Sequence, residues 1–140
     1  MRILCLDYGE KRIGTAVSDP LGISAQGLGF IEAVPESRAL GKIKEIAGEV
    51  NAEKIVVGLP LNMNGSTGPR AMKVLEFVEN LKKIFPDVDI FDERLTTRQA
   101  ESAMLEADLS RRKRKKIIDK LSAVLILQGY LDSRRMGKNV

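Results

Sequence analysis

Three acidic residues stand far apart in this 140-residue chain, each where a fold could bring it to a shared point. Asp7 follows the apolar segment 2–6, Glu93 follows the segment 88–92, and Asp119 stands at the start of a long apolar segment that comes after six consecutive cations. Carboxylates at strand ends and at a helix start can converge to hold a divalent metal ion, and nearby cations suit a phosphate-bearing polymer. The pattern predicts a metal-dependent nuclease in which Asp7, Glu93 and Asp119 are both metal ligands and catalytic residues.

The composition narrows the metal chemistry. The chain has no histidine, which excludes histidine-based acid–base catalysis and histidine-containing zinc sites. Its single cysteine, Cys5, lies inside an apolar segment and is expected to be a core residue of a reduced, cytoplasmic protein. Carboxylate-bound Mg²⁺ or Mn²⁺ is therefore the predicted cofactor, and the number of ions, one or two, stays open.

Each acid also has a purely structural interpretation. Asp7 could shape the turn before Gly9, Glu93 could pair with the adjacent Arg94, and Asp119 could favour a helix N-terminus. Their joint occurrence at three such positions favours a shared site. Because side chains alternate along a strand, only one of Asp92 and Glu93 can face that site, and Glu93 is the predicted one.

Positive charge is unevenly distributed. The formal net charge is +4 and the pI is near 9.3, and a run of cations displaces counterions from a phosphate backbone. A solvated, mobile segment is the alternative interpretation of such a run. The content of aromatic residues, 4%, disfavours single-strand binding through a stacking platform. The predicted nucleic-acid contacts are Lys11, Arg12, Arg94, Arg111, Arg112, Lys113, Arg114, Lys115 and Lys116.

The order of elements predicts the architecture. Strands are expected at 2–8, 13–18, 27–33, 54–59 and 88–93, with the first two forming a hairpin. Helical periodicity follows Pro35, recurs over 71–81, and is expected again at 96–107 and 117–131, with Pro35 in the first turn of its helix. This order predicts one α/β domain over residues 1–140, with a mixed central sheet and helices on both faces. The first strand is expected to be central, with the fourth strand parallel beside it.

Two further features of the sequence bear on phosphate binding and on location. The loop 62–68 (NMNGSTG) could approach a phosphate backbone, but it lacks the Gly-Lys-Ser/Thr of a Walker A loop, and a connecting loop is the favoured interpretation. No run of eighteen apolar residues predicts a membrane span, and the N-terminus enters a strand directly, without the pattern of a signal peptide.

Four segments resemble a known family. The runs LDYGEKRIGTAVSD, VVGLPLNMNGSTG, DERLTT and IDKLSAVLILQGYLD are similar to the YqgF family, also called RuvX, in the same order and over nearly the whole chain. These bacterial proteins resemble Holliday junction resolvases and are proposed to be pre-16S rRNA nucleases. The resemblance implies an RNase H-like fold, with Asp7, Glu93 and Asp119 in the positions of the family's acidic triad. It also implies pre-rRNA, ribosomal precursor particles or branched DNA as partners.

Two other classes of function compete with the nuclease. A ribosome-assembly factor that binds RNA without cutting it would need the cations but not the acids, so substitution of Asp7 separates the two. An actin-like ATPase would also suit a strand that ends in Asp and Gly before a hairpin. Such enzymes close two domains around a nucleotide, however, and this chain supplies only one.

Overall fold

The computed structural model describes residues 1–94 and 122–134, which form a five-stranded sheet with helices packed against it. Asp119, the cations at 111–116 and the predicted helix at 96–107 lie outside the described residues. Residues 122–134 are helical and are called α3. The other elements are β1 (Arg2–Tyr8), β2 (Arg12–Ser18), β3 (Ala25–Glu32), α1 (Glu36–Glu49), β4 (Ala52–Leu59), α2 (Pro69–Lys82) and β5 (Val88–Asp92).

The sheet has the strand order β3-β2-β1-β4-β5. Strands β1, β2 and β3 form an antiparallel meander, whereas β4 lies parallel to β1, and β5 lies parallel to β4. The predicted mixed sheet with a central first strand is therefore confirmed. The carboxyl ends of β1, β4 and β5 meet at one edge of the sheet, where ligands gather in folds of this kind.

Two apolar layers cover the two faces of the sheet. Because side chains alternate along β1, Leu4 and Leu6 pack on one face with α1 and α2, and Ile3 and Cys5 pack on the other with α3. The predicted placement of helices on both faces is confirmed. The α3 layer also contains Val56 of β4.

No helix among residues 1–94 and 122–134 is long and apolar enough to cross a membrane.

Some boundaries differ from the predicted ones. Strand β3 begins at Ala25, two residues earlier than predicted, because Asp19 Oδ1 accepts the backbone N–H groups of Ile23 and Ser24 and closes the preceding turn early. Pro35 is not in the first turn of α1: it has an extended backbone (φ −73°, ψ 150°), and its carbonyl accepts the first N–H groups of the helix. Strand β5 ends at Asp92, so Glu93 lies just beyond it.

Candidate active site

Asp7 lies near the carboxyl end of the central strand, on the face that α3 covers. Its neighbour across β2 is Gly14. A Cβ atom added to Gly14 would lie 3.6 Å from the Cβ atoms of both Asp7 and Ala123 of α3, so glycine keeps the space beside Asp7 open. The acid therefore stands at the end of the packed α3 layer instead of inside it.

Glu93 reaches the same place by crossing over β4. A Cβ atom added to Gly58 would lie 3.0 Å from Glu93 Cγ, 3.1 Å from Glu93 Cδ and 2.7 Å from Ile126 Cδ1. Only a residue without a side chain leaves room at Gly58 for both neighbours. The backbone N–H of Glu93 also donates to the carbonyl of Leu59, at 3.2 Å, which fixes the start of this crossing. The end of β4 carries no acid of its own, and the Glu93 carboxyl occupies the space above it.

Burial and the charge of Asp7 both contribute to a raised pKa of Glu93. Burial, and after it the negative charge of Asp7, raises the pKa of Glu93 from 4.5 to about 7, although the cation of Arg70 acts in the opposite direction. The same neighbourhood raises the pKa of the Cys5 thiol well above its ordinary value, first through complete burial and then through the charges of Asp7 and Glu93. Cys5 is therefore a protonated core thiol and not a nucleophile. Two carboxyl groups whose charges interact in this way would be stabilised by a cation bound between them.

A cleft of about 680 Å³ opens over the acids. Both Lys11 and Arg12, predicted from their position beside Asp7, line it, so the fold brings these cations and the two acids together. Sequence reasoning missed Arg70, Phe30 and the two glycines, Gly14 and Gly58. The residues around the cleft are Asp7, Tyr8, Gly9, Glu10, Lys11, Arg12, Gly14, Phe30, Arg70, Glu93 and Ser122.

Arg70 stands in the first turn of α2, whose first turn contains no acidic residue. A cation is disfavoured at a helix N-terminus because the helix dipole is positive there. This unfavourable placement was the one signal in the sequence that could have indicated a role for Arg70.

Arg94 has a structural partner. Its Nη2 atom lies 2.6 Å from Asp92 Oδ2, its Nε also donates to Asp92, and its Nη1 donates to the carbonyl of Met63 at 3.3 Å. These contacts join Arg94 to Asp92 and not to Glu93, the partner expected if Glu93 had only a structural role. Arg94 is not among the residues around the cleft, and its contact with nucleic acid stays a prediction.

The loop 62–68 is an ordered connection between β4 and α2. The backbone N–H of Gly65 donates to the carbonyl of Asn62 at 2.8 Å, and the N–H of Ser66 donates to Asn64 Oδ1 at 3.0 Å. Gly65 has a φ of +87°, and a Cβ atom there would lie 3.3 Å from Arg94 Nη1. The loop is therefore held both by itself and by Arg94, and it leads directly to Arg70.

Two of the three predicted metal ligands lie among the described residues. Among residues 1–94 and 122–134, no group of three carboxylate or thiol side chains is placed to hold a metal ion. Asp7 and Glu93 are the two predicted ligands in these ranges, and Asp119 lies outside them.

Comparison with known proteins decides the family. Residues 1–133 match the sequence model of RuvX, described as Holliday junction resolvase. The chain belongs to the RuvX family. It is 50% identical over 140 residues to a Syntrophomonas wolfei protein named "Putative pre-16S rRNA nuclease", covering 99% of both chains. A protein of the same name from Clostridium botulinum strain Hall is 54% identical over 134 residues, covering 95% of this chain and 98% of the relative.

Solved structures show the same fold at low sequence identity. RuvC of Thermus thermophilus, in a complex with a Holliday junction substrate, aligns with a TM-score of 0.63 at 14% identity, covering 98% of this chain and 96% of RuvC. A second structure of Thermus thermophilus RuvC aligns with a TM-score of 0.57 at 15% identity, covering 98% of this chain and 97% of that one. The RNase H-like fold implied by the family resemblance is confirmed. The RuvX protein is a nuclease by family.

Proposed function

We propose that this RuvX protein is a metal-dependent endonuclease that hydrolyses phosphodiester bonds in the 5′ region of pre-16S rRNA. The observation that carries the proposal is the pairing of Asp7 with Glu93 in a cleft that three cations also line. The names of the curated relatives support the choice of RNA. The single-domain organisation and the cytoplasmic location belong to the same proposal.

The donor set fits Mg²⁺ or Mn²⁺. Carboxylate oxygens are hard ligands, the chain contains no histidine, and its one thiol is buried and protonated. Asp7 and Glu93 would hold the ion together with Asp119. When bound, such an ion supplies an activated water and neutralises charge that develops on the phosphate.

The residues of the chain have separate parts in this scheme. Asp7 is fixed by the central strand, and Glu93 is fixed over Gly58, so neither acid has to move far to meet a ligand. Arg70, Lys11 and Arg12 border the same cleft and would contact phosphate oxygens on either side of the bond that is cut. The cations at 111–116 would extend this contact along the RNA backbone.

The family description favours a second substrate. RuvX is described as Holliday junction resolvase, and branched DNA offers the same phosphodiester chemistry to the same acids. RNA and DNA differ at the 2′-hydroxyl, which does not take part in the hydrolysis of the phosphodiester bond by a metal-activated water. The experiment therefore presents both substrates.

The test is a cleavage assay on a pre-16S RNA fragment with its 5′ extension and on a four-way DNA junction. Each is incubated with Mg²⁺, Mn²⁺ or EDTA and with the wild type, Asp7→Asn or Asp19→Asn. Asp19 lies at the other end of β2, and its Oδ1 atom accepts two backbone hydrogen bonds that an asparagine can keep. It therefore controls for the change from acid to amide.

Metal-dependent cleavage of the RNA by the wild type and Asp19→Asn, with a loss of about 10³-fold or more in Asp7→Asn, is the expected result. Preferential cleavage of the junction would replace the RNA by branched DNA as the substrate. Tight RNA binding without cleavage under any metal would overturn the enzyme and favour a ribosome-assembly factor.

A further inference from the structure

We propose that Phe30, with the guanidinium of Arg12 on its ring, binds a nucleobase next to the phosphodiester bond at Asp7 and Glu93. The inference rests on the proposed nuclease function and specifies the form of the nucleic acid that enters the cleft. Two aromatic residues border the cleft, Tyr8 and Phe30. Tyr8 is stacked on Phe77 in the other apolar layer, whereas Phe30 lies beside the two acids and receives a role here.

The sheet register places the ring and the acid in one row. Asp7 of β1 is opposite Gly14 of β2, and Gly14 is opposite Phe30 of β3. Neighbouring strands are about 4.8 Å apart, so Phe30 and Asp7 are separated by about 10 Å at their backbones. That span suits a nucleotide whose phosphate lies at the acids and whose base extends toward β3.

Gly14 lies between the acid and the ring and carries no side chain that would separate them. A Cβ atom there would lie 3.4 Å from Phe30 Cε1, 3.6 Å from Asp7 Cβ and 3.6 Å from Ala123 Cβ of α3. The acid, the ring and the first turns of the described part of α3 therefore lie within contact distance of one glycine. Phe30 and Asp7 also border the same cleft, so one nucleotide in the cleft can reach both.

The Phe30 ring is partly exposed to solvent and is not a buried core residue. Phe30 is 42% exposed, although its cleft is otherwise bordered mainly by charged and small residues. The Arg12 guanidinium lies 4.4 Å from the ring centroid, a cation–π contact that holds the ring and the cation together. The guanidinium covers a face of the ring, and a base can stack on a guanidinium plane as it does on an aromatic ring. The stacked pair of Arg12 and Phe30 therefore offers a surface for the base, and its cation attracts the phosphate.

This arrangement has a consequence for the substrate. A base stacked on Phe30 has left its own helical stack, so the strand must be unpaired next to the cleaved bond. A phenyl ring has no hydrogen-bonding group, and the contact would accept any base. The low aromatic content disfavours a platform of many rings, whereas one ring beside the acids is sufficient for one base.

The experiment uses the full-length protein and a single-stranded RNA that carries 2-aminopurine at successive positions around the cleaved bond. Its fluorescence is quenched when the base stacks on an aromatic ring. The variants are Phe30→Leu, Phe30→Tyr and Leu28→Ala. Leu28 is on the same strand, is 43% exposed and does not border the cleft, so it controls for the loss of exposed apolar surface from β3.

We expect Phe30→Leu to weaken binding of the single strand about tenfold and to remove the fluorescence change at one position. Phe30→Tyr and Leu28→Ala should behave like the wild type. The salt dependence of binding should stay unchanged in Phe30→Leu because a phenyl ring releases no counterions. On a fully paired duplex, Phe30→Leu should bind as the wild type does.

Unchanged binding and fluorescence in Phe30→Leu would overturn the inference, as would an equal loss of binding on the duplex. The two levels of the proposal fail differently. If the wild type cleaves and Phe30→Leu binds RNA with the same affinity and fluorescence change, the nuclease proposal is supported and the base site is refuted. If the wild type shows the stacking signal but never cleaves, the base site is supported and the nuclease proposal is refuted.

Discussion

Replacing Asp7 by asparagine should change how the stability of the metal-free protein depends on pH. Glu93 has a pKa of about 7 in the folded state against 4.5 ordinarily, so the unfolded chain binds fewer protons than the folded one between these values. Stability therefore falls as pH rises through this range, and the full cost of ionising Glu93 is about 3 kcal/mol above pH 7. Burial accounts for the largest part of this cost and the charge of Asp7 for the next largest, so we assign about 1 kcal/mol to the repulsion between Asp7 and Glu93.

The assay is urea unfolding at pH 5, 6, 7 and 8 in EDTA. At pH 5 Glu93 is protonated in both proteins, and any difference between them reflects other contacts of Asp7. At pH 8 the repulsion is present in the wild type alone. The difference in unfolding free energy between Asp7→Asn and the wild type should therefore shift by about 1 kcal/mol in favour of the variant from pH 5 to pH 8. Replacing EDTA by Mn²⁺ at pH 8 should stabilise the wild type more than the variant, because a ligand stabilises the state that binds it.

Asp19→Asn provides the control for the same series. Hydrogen bonds from the N–H groups of Ser24 and Ile23 lower the pKa of Asp19, so this acid stays ionised from pH 5 to pH 8 and its substitution should shift all four points equally. Parallel curves for the wild type and Asp7→Asn would refute the reasoning. They would mean that Asp7 and Glu93 do not interact through their charges.

Three other substitutions test separate parts of the structure. Gly58→Ala should cost about 1–3 kcal/mol of unfolding free energy and reduce cleavage, because its Cβ would meet Ile126 and Glu93. The control is Gly41→Ala inside α1, whose Cβ would meet nothing within 4 Å and which should stabilise the protein by about 0.5–1 kcal/mol. Equal effects of the two substitutions would show that Gly58 is not crowded by Ile126 and Glu93. Tyr130→Phe removes the 2.8 Å hydrogen bond that contributes most to the lowered pKa of Asp89, so it should cost about 1 kcal/mol at pH 7. Because a lowered pKa stabilises fully above the acid's ordinary value and progressively less below it, that cost should shrink as pH falls below 4, and an equal cost at pH 3 and pH 7 would contradict it. Arg94→Gln should speed proteolytic cleavage within 62–68 while leaving the unfolding midpoint nearly unchanged, and an unaltered cleavage rate would show that Arg94 does not hold the loop.

Local patterns were sufficient to predict the strands, the hairpin and the two-sided packing. Apolar runs and turn residues repeat at short range, and the rules for parallel connections then place β1 beside β4. The position of Asp7 at the cleft could be predicted for the same reason, since it stands at the end of a buried strand, and its role as a site residue stays a prediction. Lys11 and Arg12 followed from being adjacent to it.

The finer geometry depends on contacts between distant segments. Strand alternation predicted one outward and one inward acid at positions 92 and 93, but not that Arg94 would pair with Asp92, because direction beyond a strand end is not set by alternation. Gly58 has meaning only once Glu93 lies over it, and Phe30 only once β3 is registered against Gly14. The row of Asp7, Gly14 and Phe30 belongs to three adjacent strands, so it is not visible in the pattern of any single segment.

The bonds of Gln128 have a consequence for how the chain is made. Gln128 of α3 accepts the N–H of Ala25 and donates to the carbonyl of Ile23, contacts that join residues more than one hundred positions apart. During synthesis β1, β2 and β3 leave the ribosome early, but the apolar face formed by Ile3 and Cys5 must wait for α3. Residues 1–94 are therefore translated before α3 can cover this face, and exposed apolar surface on nascent proteins leads to aggregation or to chaperone binding. The cleft over Asp7 and Glu93 is also bordered by Ser122, so it is completed only after α3 has been synthesised.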